Sequence, residues 1–428
     1  MSRARASSRR TSRARSSSRR SSDAPISRAR TSSAPTSCAP SVTTRRASST
    51  RSSRRSACRR RAWIRARRRP RSSREARRAV DKTELVQRVK GGEILSGIDL
   101  SGLDLAGADL SGGIFEKVSF RGANLGGCLF KESVLSECDF DGARMNEANL
   151  RHAVWNRSTL RGADLRGGNM PVVKFYQCDL TEARLSGSDL VISGFAQSDL
   201  SRADLSGCNL DRAGFVECTV TGMILARACL KQTTLYKADL TETNFSEARF
   251  DNTLFIGARL RGVNFAGMDL TLSQFIDADV EGASFERAIV RQCNFMRANL
   301  VEARFDGAEA QQAVFVEAKM ARATFTKACL TRALFADAKL PLADLSGARV
   351  DEAIFHRAAC EGARLVDCDL TYADFTHADV SAADFKGAKV FRTRFHRVKD
   401  KDTIWCSRAA ALGDEADVST SEDWNPPY

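Results

Sequence analysis

Histidine is the first residue type that could do chemistry, and the sequence contains four: His152, His356, His377 and His396. None stands in an HExxH motif, and the sequence also lacks CxxC, GxSxG and phosphate-loop motifs. His356 and His396 are forty residues apart and have no third partner in the pattern, so we interpret them as exposed polar residues rather than metal ligands. The sequence therefore predicts no enzyme, and it predicts no catalytic residue, metal or cofactor.

Acidic residues are numerous, but they recur at a fixed place in a repeat. Asp109, Asp164 and Asp204 each stand directly before a leucine and after an alanine. A paired general acid and base would need a local arrangement that differs from its surroundings, and a regular series does not provide one. We therefore interpret these aspartates as structural elements of the repeat.

The sequence that would have to position these residues has apolar residues at every fifth place. Every residue whose number is a multiple of five is apolar from Leu95 to Phe395, over 61 consecutive positions. Two residues earlier in each five stands a small residue, and 34 of these 60 positions are alanine. A period of five fits neither an α-helix nor a plain strand, so the repeat itself must be the structural unit.

This pattern, as in Ala108-Asp109-Leu110, resembles the pentapeptide-repeat family over residues 95–395. The resemblance implies an all-β protein, a right-handed quadrilateral β-helix in which four pentapeptides form one square coil. Its large and small repeat residues would point inward and the other three outward. Residues 95–395 would then form a solenoid of about fifteen coils with short helical caps.

Aromatic residues support a cycle of twenty residues independently of the resemblance. In the series 95, 115, 135 and onward to 395, 13 of 16 residues are aromatic, whereas the series that begins at Leu100 contains only Phe120 and Phe140. A side chain therefore stacks on the residues twenty positions before and after it.

Cysteine usage favours a reducing compartment. Seven of the thirteen cysteines take the small inward position of the repeat, where cysteine acts as a compact apolar residue. They are Cys128, Cys138, Cys178, Cys208, Cys218, Cys293 and Cys368. Those in the same series are never in adjacent coils, so they lie beyond disulfide reach.

Four further segments flank the solenoid. Residues 1–79 are Arg- and Ser-rich and are expected to be disordered. Residues 80–94 are expected to form a capping helix, since Asp81 and Glu84 have the spacing of a capping box. Residues 396–413 are expected to form a C-terminal cap, and residues 414–428 an acidic flexible tail.

The basic N-terminal segment has three interpretations that the sequence leaves open. Residues 1–80 contain 26 arginines against Asp23 and Glu75. The segment is a mis-assigned start, with the true start at Val80, or a mitochondrial or plastid transit peptide, or a nucleic-acid-binding arm. Residues 96–395 carry 40 acidic and 34 basic residues, so nucleic acid is not expected to bind the solenoid. No apolar run is long enough to span a membrane.

One outer side of the solenoid departs from the polar pattern of the others. Beside the aromatic series, apolar residues replace charged ones in coil after coil, and soluble monomers seldom leave such a patch bare. We predict that this strip binds a protein partner or a second copy of the chain. The alternatives are that these residues only favour strand structure, or that a terminal segment covers them. The candidate interface residues are Tyr176, Val216, Tyr236, Leu254, Ile256, Ile276, Met296, Val314, Val316, Leu334 and Ile354.

The predicted function is that of a rigid, non-catalytic scaffold or adaptor for protein–protein interaction in the cytoplasm. The opening repeats resemble those of pentapeptide proteins from bacterial secretion loci, which implies a secretion-associated context. One alternative is a DNA mimic that regulates or protects a topoisomerase such as gyrase. Another is a plastid stromal pentapeptide-repeat protein, and a plastid or mitochondrial location would require residues 1–79 to be a transit peptide.

Overall fold

The computed structural model describes residues 81–424. The expectations for residues 1–79 lie outside this range, as do the last four residues of the expected tail, 425–428.

A short helix precedes the solenoid. Helix α1 spans Lys82–Lys90, and the side chain of Asp81 caps it by accepting a hydrogen bond from the backbone N–H of Glu84 at 2.7 Å. Leu85 and Val89 are buried against the first coil. The helix expected within residues 80–94 is thus nine residues long, and it covers an apolar end that the solenoid would otherwise expose.

Parallel three-residue strands, twenty residues apart, form the regular part of the solenoid. Eight of these strands make one sheet, and two others pair with each other. Neighbouring strands align Leu95 with Phe115, so each inward residue stacks on the next. The strands are β1 Ile94–Ser96, β2 Ile114–Glu116, β3 Val134–Ser136, β4 Val154–Asn156, β5 Lys174–Tyr176, β6 Gly194–Ala196, β7 Gly214–Val216, β8 Cys229–Lys231, β9 Thr234–Tyr236 and β10 Arg249–Asp251.

Single-residue bridges continue the same register beyond the regular strands. On the side of the eight-stranded sheet, these bridges run from Thr234↔Leu254 to Asp374↔Arg394. On other sides of the solenoid, similar bridges extend as far as Asp384↔Ile404. The regular sheet thus contains eight coils, whereas the sequence led us to expect about fifteen. Single bridging residues continue the same ladder through the later coils, so the eight-stranded sheet is the regular part of a longer solenoid. The predicted class, a quadrilateral β-helix, is confirmed.

Each corner is a tight turn that explains two features of the repeat. The N–H of Ala108 donates to the carbonyl oxygen of Leu105 at 2.9 Å, and Gly107 between them has φ 67°. Position i+2 of such a type II turn requires a left-handed residue, which is why glycine is frequent there. The aspartates before the large residue accept backbone hydrogen bonds, as Asp99 does from the N–H of Ser101 at 3.0 Å. Their role is structural, as the sequence indicated.

The core consists of stacked inward side chains. Phe295 and Phe315 stack with ring centroids 5.2 Å apart and planes 3° apart. Small polar residues at the inward position bond to the coil below, as Ser133 does by donating its hydroxyl to the carbonyl of Leu110 at 2.9 Å. The seven inward cysteines are buried, and every cysteine of residues 81–424 is a free thiol.

The C-terminal end is more ordered than the sequence suggested. Trp405 stacks on Phe385 with centroids 4.9 Å apart, and the guanidinium of Arg408 lies 4.1 Å above the Trp405 ring, so the expected cap within residues 396–413 closes the last coil. The flexible tail expected from residue 414 onward is wrong in its first part. Helix α2 spans Ala416–Glu422 and is bonded to the solenoid through Glu422.

Candidate protein-interaction face

The eleven candidate interface residues lie on one side of the solenoid. This side, called here the Phe-rich face, consists of strands β1–β7 and β9 and the bridges that continue them to Arg394. Tyr176, Val216 and Tyr236 end three of its strands, and Leu254 begins its bridged part. The twenty-residue register therefore brings the predicted residues together as two parallel rows, one before and one after the inward aromatic residue.

Exposure varies along the strip. Tyr176 and Val216 are 45% and 42% exposed, whereas the other nine residues are half-buried. The half-buried residues are shielded because each packs beside outward side chains about 4.8 Å above and below it in the ladder. Further apolar residues extend the face toward its N-terminus, where Ile94 is 54% exposed and Ile114, Val134 and Val154 about 40%.

The corner next to the strip is polar, and many of its charges are paired. Arg297 contacts Asp277 at 2.7 Å, and Arg357 contacts Asp337 at 2.6 Å, both between neighbouring coils. A hydrogen bond from the Arg297 guanidinium lowers the pKa of Asp277. These exposed pairs contribute little stability. Because the opposite charges at this corner largely cancel, the two rows of apolar residues are what distinguishes this face chemically.

Helix α2 covers the C-terminal end of the Phe-rich face. A cavity of about 120 Å³ lies between the helix and the solenoid, lined by Thr376, Arg394 and Val418 among others. A terminal segment therefore covers this end of the Phe-rich face, but it does not reach the candidate residues. Within residues 81–424 the helix lies at the coils of residues 356–397, beyond Ile354, the last candidate residue.

Three side chains with metal-ligating atoms converge under this helix. The possible ligand atoms of His377, His396 and Glu422 lie within 4.8 Å of one another. The sequence led us to interpret His356 and His396 as exposed polar residues, which is wrong for His396, because it is only 2% exposed. His377 stands nineteen residues before His396 and thus beside it in the preceding coil. His377 occupies the corner of its repeat, and that spacing is the signal that could have revealed the cluster.

Hydrogen bonding favours a clamp rather than a metal site. The Nδ1 atom of His396 accepts from the backbone N–H of Glu415 at 3.2 Å, so in the neutral ring the proton is on Nε2 and points to Glu422 at 3.3 Å. A metal-bound imidazole needs the opposite arrangement. Arg397 also contacts the Glu422 carboxylate, at 3.2 Å. Two imidazoles and a guanidinium thus hold this carboxylate of α2.

Within residues 81–424 the other two histidines lie outside this cluster, although His356 lines the same cavity under helix α2 as His396. His152 is an exposed corner residue far along the chain from the other three, and His356 lies 3.0 Å from Asp374. None of the helices within residues 81–424 has the length and apolar character that crossing a membrane requires.

Fold and repeat together define a parallel β-solenoid protein built from five-residue units. Two family models match the chain: one described as a pentapeptide repeat region, at residues 108–185 and 209–285, and one described as pentapeptide repeats (8 copies), at residues 177–222, 293–332, 328–359 and 353–395. The chain belongs to the pentapeptide-repeat family. No curated protein sequence matches it.

Several solved structures of pentapeptide-repeat proteins are similar to this chain. AT2G44920, from the Arabidopsis thaliana thylakoid lumen, is 31% identical with a TM-score of 0.21, covering 22% of this chain and 64% of its own. HetL, involved in heterocyst differentiation regulation in the cyanobacterium Nostoc sp. strain PCC 7120, is 21% identical with a TM-score of 0.20, covering 73% and 95%. A trypsin-treated form of QnrB1, a plasmid-mediated fluoroquinolone resistance protein, is 19% identical with a TM-score of 0.22, covering 44% and 89%.

Proposed function

We propose that this protein is a non-catalytic, rigid scaffold or adaptor that binds a protein partner, or a second copy of itself, through the Phe-rich face. The observation that carries the proposal is the run of outward apolar residues Ile256, Ile276, Met296 and Val316, one per coil and part-exposed in each. An apolar row of this kind on an otherwise polar surface is a feature of protein-binding surfaces.

Rigidity supports the same role. Each coil is bonded to its neighbours through backbone hydrogen bonds, such as that from the N–H of Phe315 to the carbonyl of Leu334 at 2.7 Å. The positions of the apolar residues are therefore fixed before binding, and a preorganised surface loses less conformational entropy when a partner docks.

The cytoplasm is the proposed compartment, and a bacterial secretion-associated context is the proposed setting. Buried free thiols such as Cys208 and Cys293 suit a reducing environment.

We rank mimicry of DNA toward a topoisomerase second, because the corner carboxylates of Asp277 and Asp337 are neutralised by arginines, whereas a DNA mimic needs an uncompensated acidic surface. A plastid stromal role depends on residues outside the described range.

The test is a charge placed on the strip, with a matched charge elsewhere. Ile276→Glu alters the Phe-rich face, and Val366→Glu alters a residue that is also half-buried and also directly follows a large inward residue, on a different side. Full-length protein and both variants would be compared by light scattering after size exclusion and by affinity capture from the source cells.

A dimer that Ile276→Glu splits and Val366→Glu preserves would support a homotypic interface. A monomer whose captured partner is lost only with Ile276→Glu would support a heterotypic one. Unchanged mass and unchanged capture with Ile276→Glu would refute the proposal, provided that circular dichroism shows the variant to be folded.

A further inference from the structure

A shallow apolar cleft interrupts the Phe-rich face at strands β5–β7. It has a volume of about 380 Å³, and Tyr176, Ile192 and Val216 form its walls. Its floor contains Gly194 and Gly214, which are direct partners in neighbouring strands. The cleft thus exists because two neighbouring strands have no side chain at a position where other strands of this face have one.

Backbone geometry does not require these glycines. Neither Gly194 nor Gly214 has a positive φ, unlike the corner glycines. A Cβ at Gly214 would meet no atom within 4 Å, and one at Gly194 would meet only the flexible side chain of Lys174, at 3.1 Å. Earlier coils place Ile114, Val134 and Val154 in the same position. Glycine weakens a strand, and one place where strands carry it is where a ligand or another backbone approaches closely.

A corner residue forms one wall of the cleft. Ile192 has φ 57°, the left-handed conformation that other corners of the solenoid share, and its side chain is 38% exposed at the edge of the cleft. The wall is therefore an apolar side chain held in place by the repeat.

The charged residues at the cleft are basic. Lys174 and Arg212 line it, and no acidic residue of the described part of the chain does. The Lys174 ammonium donates to the carbonyl of Ile192 at 3.2 Å, and within residues 81–424 it has no carboxylate within 4 Å. Arg212 contacts Asp211 at 3.4 Å. An occupant with an apolar group and a neighbouring carboxylate matches this arrangement.

We propose that the cleft binds a linear peptide segment of a partner protein, with an aliphatic or aromatic side chain seated above Gly194 and Gly214 and an acidic residue beside Lys174. The inference deepens the proposed function and rests on it, because it names the chemistry of the partner on the same face. The chain's own Arg-rich N-terminal segment is an unsuitable occupant, since its charge has the same sign as the rim.

The probe is a displayed library of random twelve-residue peptides, selected on the full-length protein. Enriched peptides should combine Asp or Glu with a large apolar residue. Gly214→Val, whose Cβ would meet no atom within 4 Å, places a branched side chain on the cleft floor and should weaken binding of a synthesised consensus peptide about tenfold or more. Thr234→Val, one strand further along the same row, is the matched control and should leave the affinity unchanged. Lys174→Glu should weaken it as well.

The inference is overturned if no peptide is enriched, if the enriched peptides are basic, or if Gly214→Val binds as tightly as the unmodified protein. Its failure is separable from failure of the proposed function. If Ile276→Glu loses partner capture and Gly214→Val does not, the interaction face is supported and the cleft is rejected. If peptides bind at the cleft and Ile276→Glu captures the partner normally, the cleft is supported and the interaction through Ile276 is rejected.

Discussion

Glu422 of helix α2 accepts a hydrogen bond from Nε2 of His396 at 3.3 Å, so a residue expected in a flexible tail is bonded to the buried edge of the solenoid. His396 is only 2% exposed. The same carboxylate contacts Nε2 of His377 at 3.2 Å. Helix α2 has no buried residue of its own, so these polar contacts are a principal attachment of the helix.

Removing the carboxylate should therefore release the helix. We expect Glu422→Ala to speed amide hydrogen exchange over residues 414–424 and to leave exchange in the coils unchanged. Ser421→Ala is the control, since its hydroxyl bonds only to the carbonyl of Val418 within the helix. Equal exchange in Glu422→Ala and the unmodified protein would show that the histidine contacts do not hold the helix.

Acidification should weaken the same attachment. Burial raises the pKa of Glu422, but the hydrogen bonds from His377 and His396 together outweigh it, and the pKa is lowered from 4.5. Because its pKa is lowered in the folded state, the Glu422 carboxylate stabilises the docked helix at pH values above 4.5. This contribution is lost as the pH falls below 4.5. Hydrogen exchange across residues 414–424, corrected for intrinsic rates between pH 3 and 7, should show this release, and a pH-independent protection would contradict it.

Corner conformation offers a stabilising substitution. Leu342 follows Pro341 at a corner, has φ 59°, and is 58% exposed. A left-handed conformation costs a residue with a side chain about 1–2 kcal/mol, and glycine avoids this cost at an entropic penalty of about 0.5–1 kcal/mol. We therefore expect Leu342→Gly to raise the free energy of unfolding by about 0.5–1 kcal/mol, measured by chemical denaturation.

The opposite change at an equivalent corner supplies the control. Gly282 has φ 65°, and a Cβ there would meet nothing within 4 Å, so only conformation is altered by Gly282→Ala. This variant should lower the free energy of unfolding by about 1 kcal/mol. If both substitutions shift the free energy of unfolding in the same direction, the left-handed corner conformation does not cause these changes.

The period of five made the fold predictable, because it assigns each residue to the inside or the outside without knowledge of distant contacts. It also placed Tyr176 and Ile354 on the same side, since twenty residues make one coil. The solvent exposure of the outward side chains was less predictable than the side on which they lie. Ile276 is half-buried because side chains above and below it in the ladder shield it, and shielding depends on three coils together.

Features outside the repeat could not be predicted from it. Helix α2 is held by contacts between Glu422 and residues 26 and 45 positions earlier, and no periodic signal links them. Gly194 and Gly214 do carry a sequence signal, because they replace β-branched residues in one series. That signal is visible only once the series is known to lie on an outer face.

Ring stacking along the aromatic series should dominate the stability of the later coils. Phe315 stacks on Phe295 and Phe335 at 5.2 and 4.9 Å and is fully buried. Phe315→Ala should lower the free energy of unfolding by about 3–5 kcal/mol, through lost burial and the cavity left behind. Phe391→Ala, at a residue 52% exposed, should lower it by about 1 kcal/mol or less. Comparable losses in both would contradict the stacked core.

Thiol reactivity should distinguish inward from outward cysteines. Burial raises the pKa of Cys208 and of Cys368 to about 12 in each case, and only the thiolate reacts with iodoacetamide. At pH 8 roughly one molecule in ten thousand carries either thiolate. Mass spectrometry after brief labelling of the native protein should therefore find both unmodified, whereas Cys229 and Cys329, which are half-buried at outward positions, should be labelled first. Unfolding in guanidinium should remove the difference, and rapid native labelling of Cys208 would mean that its coil opens or that its side chain does not point inward.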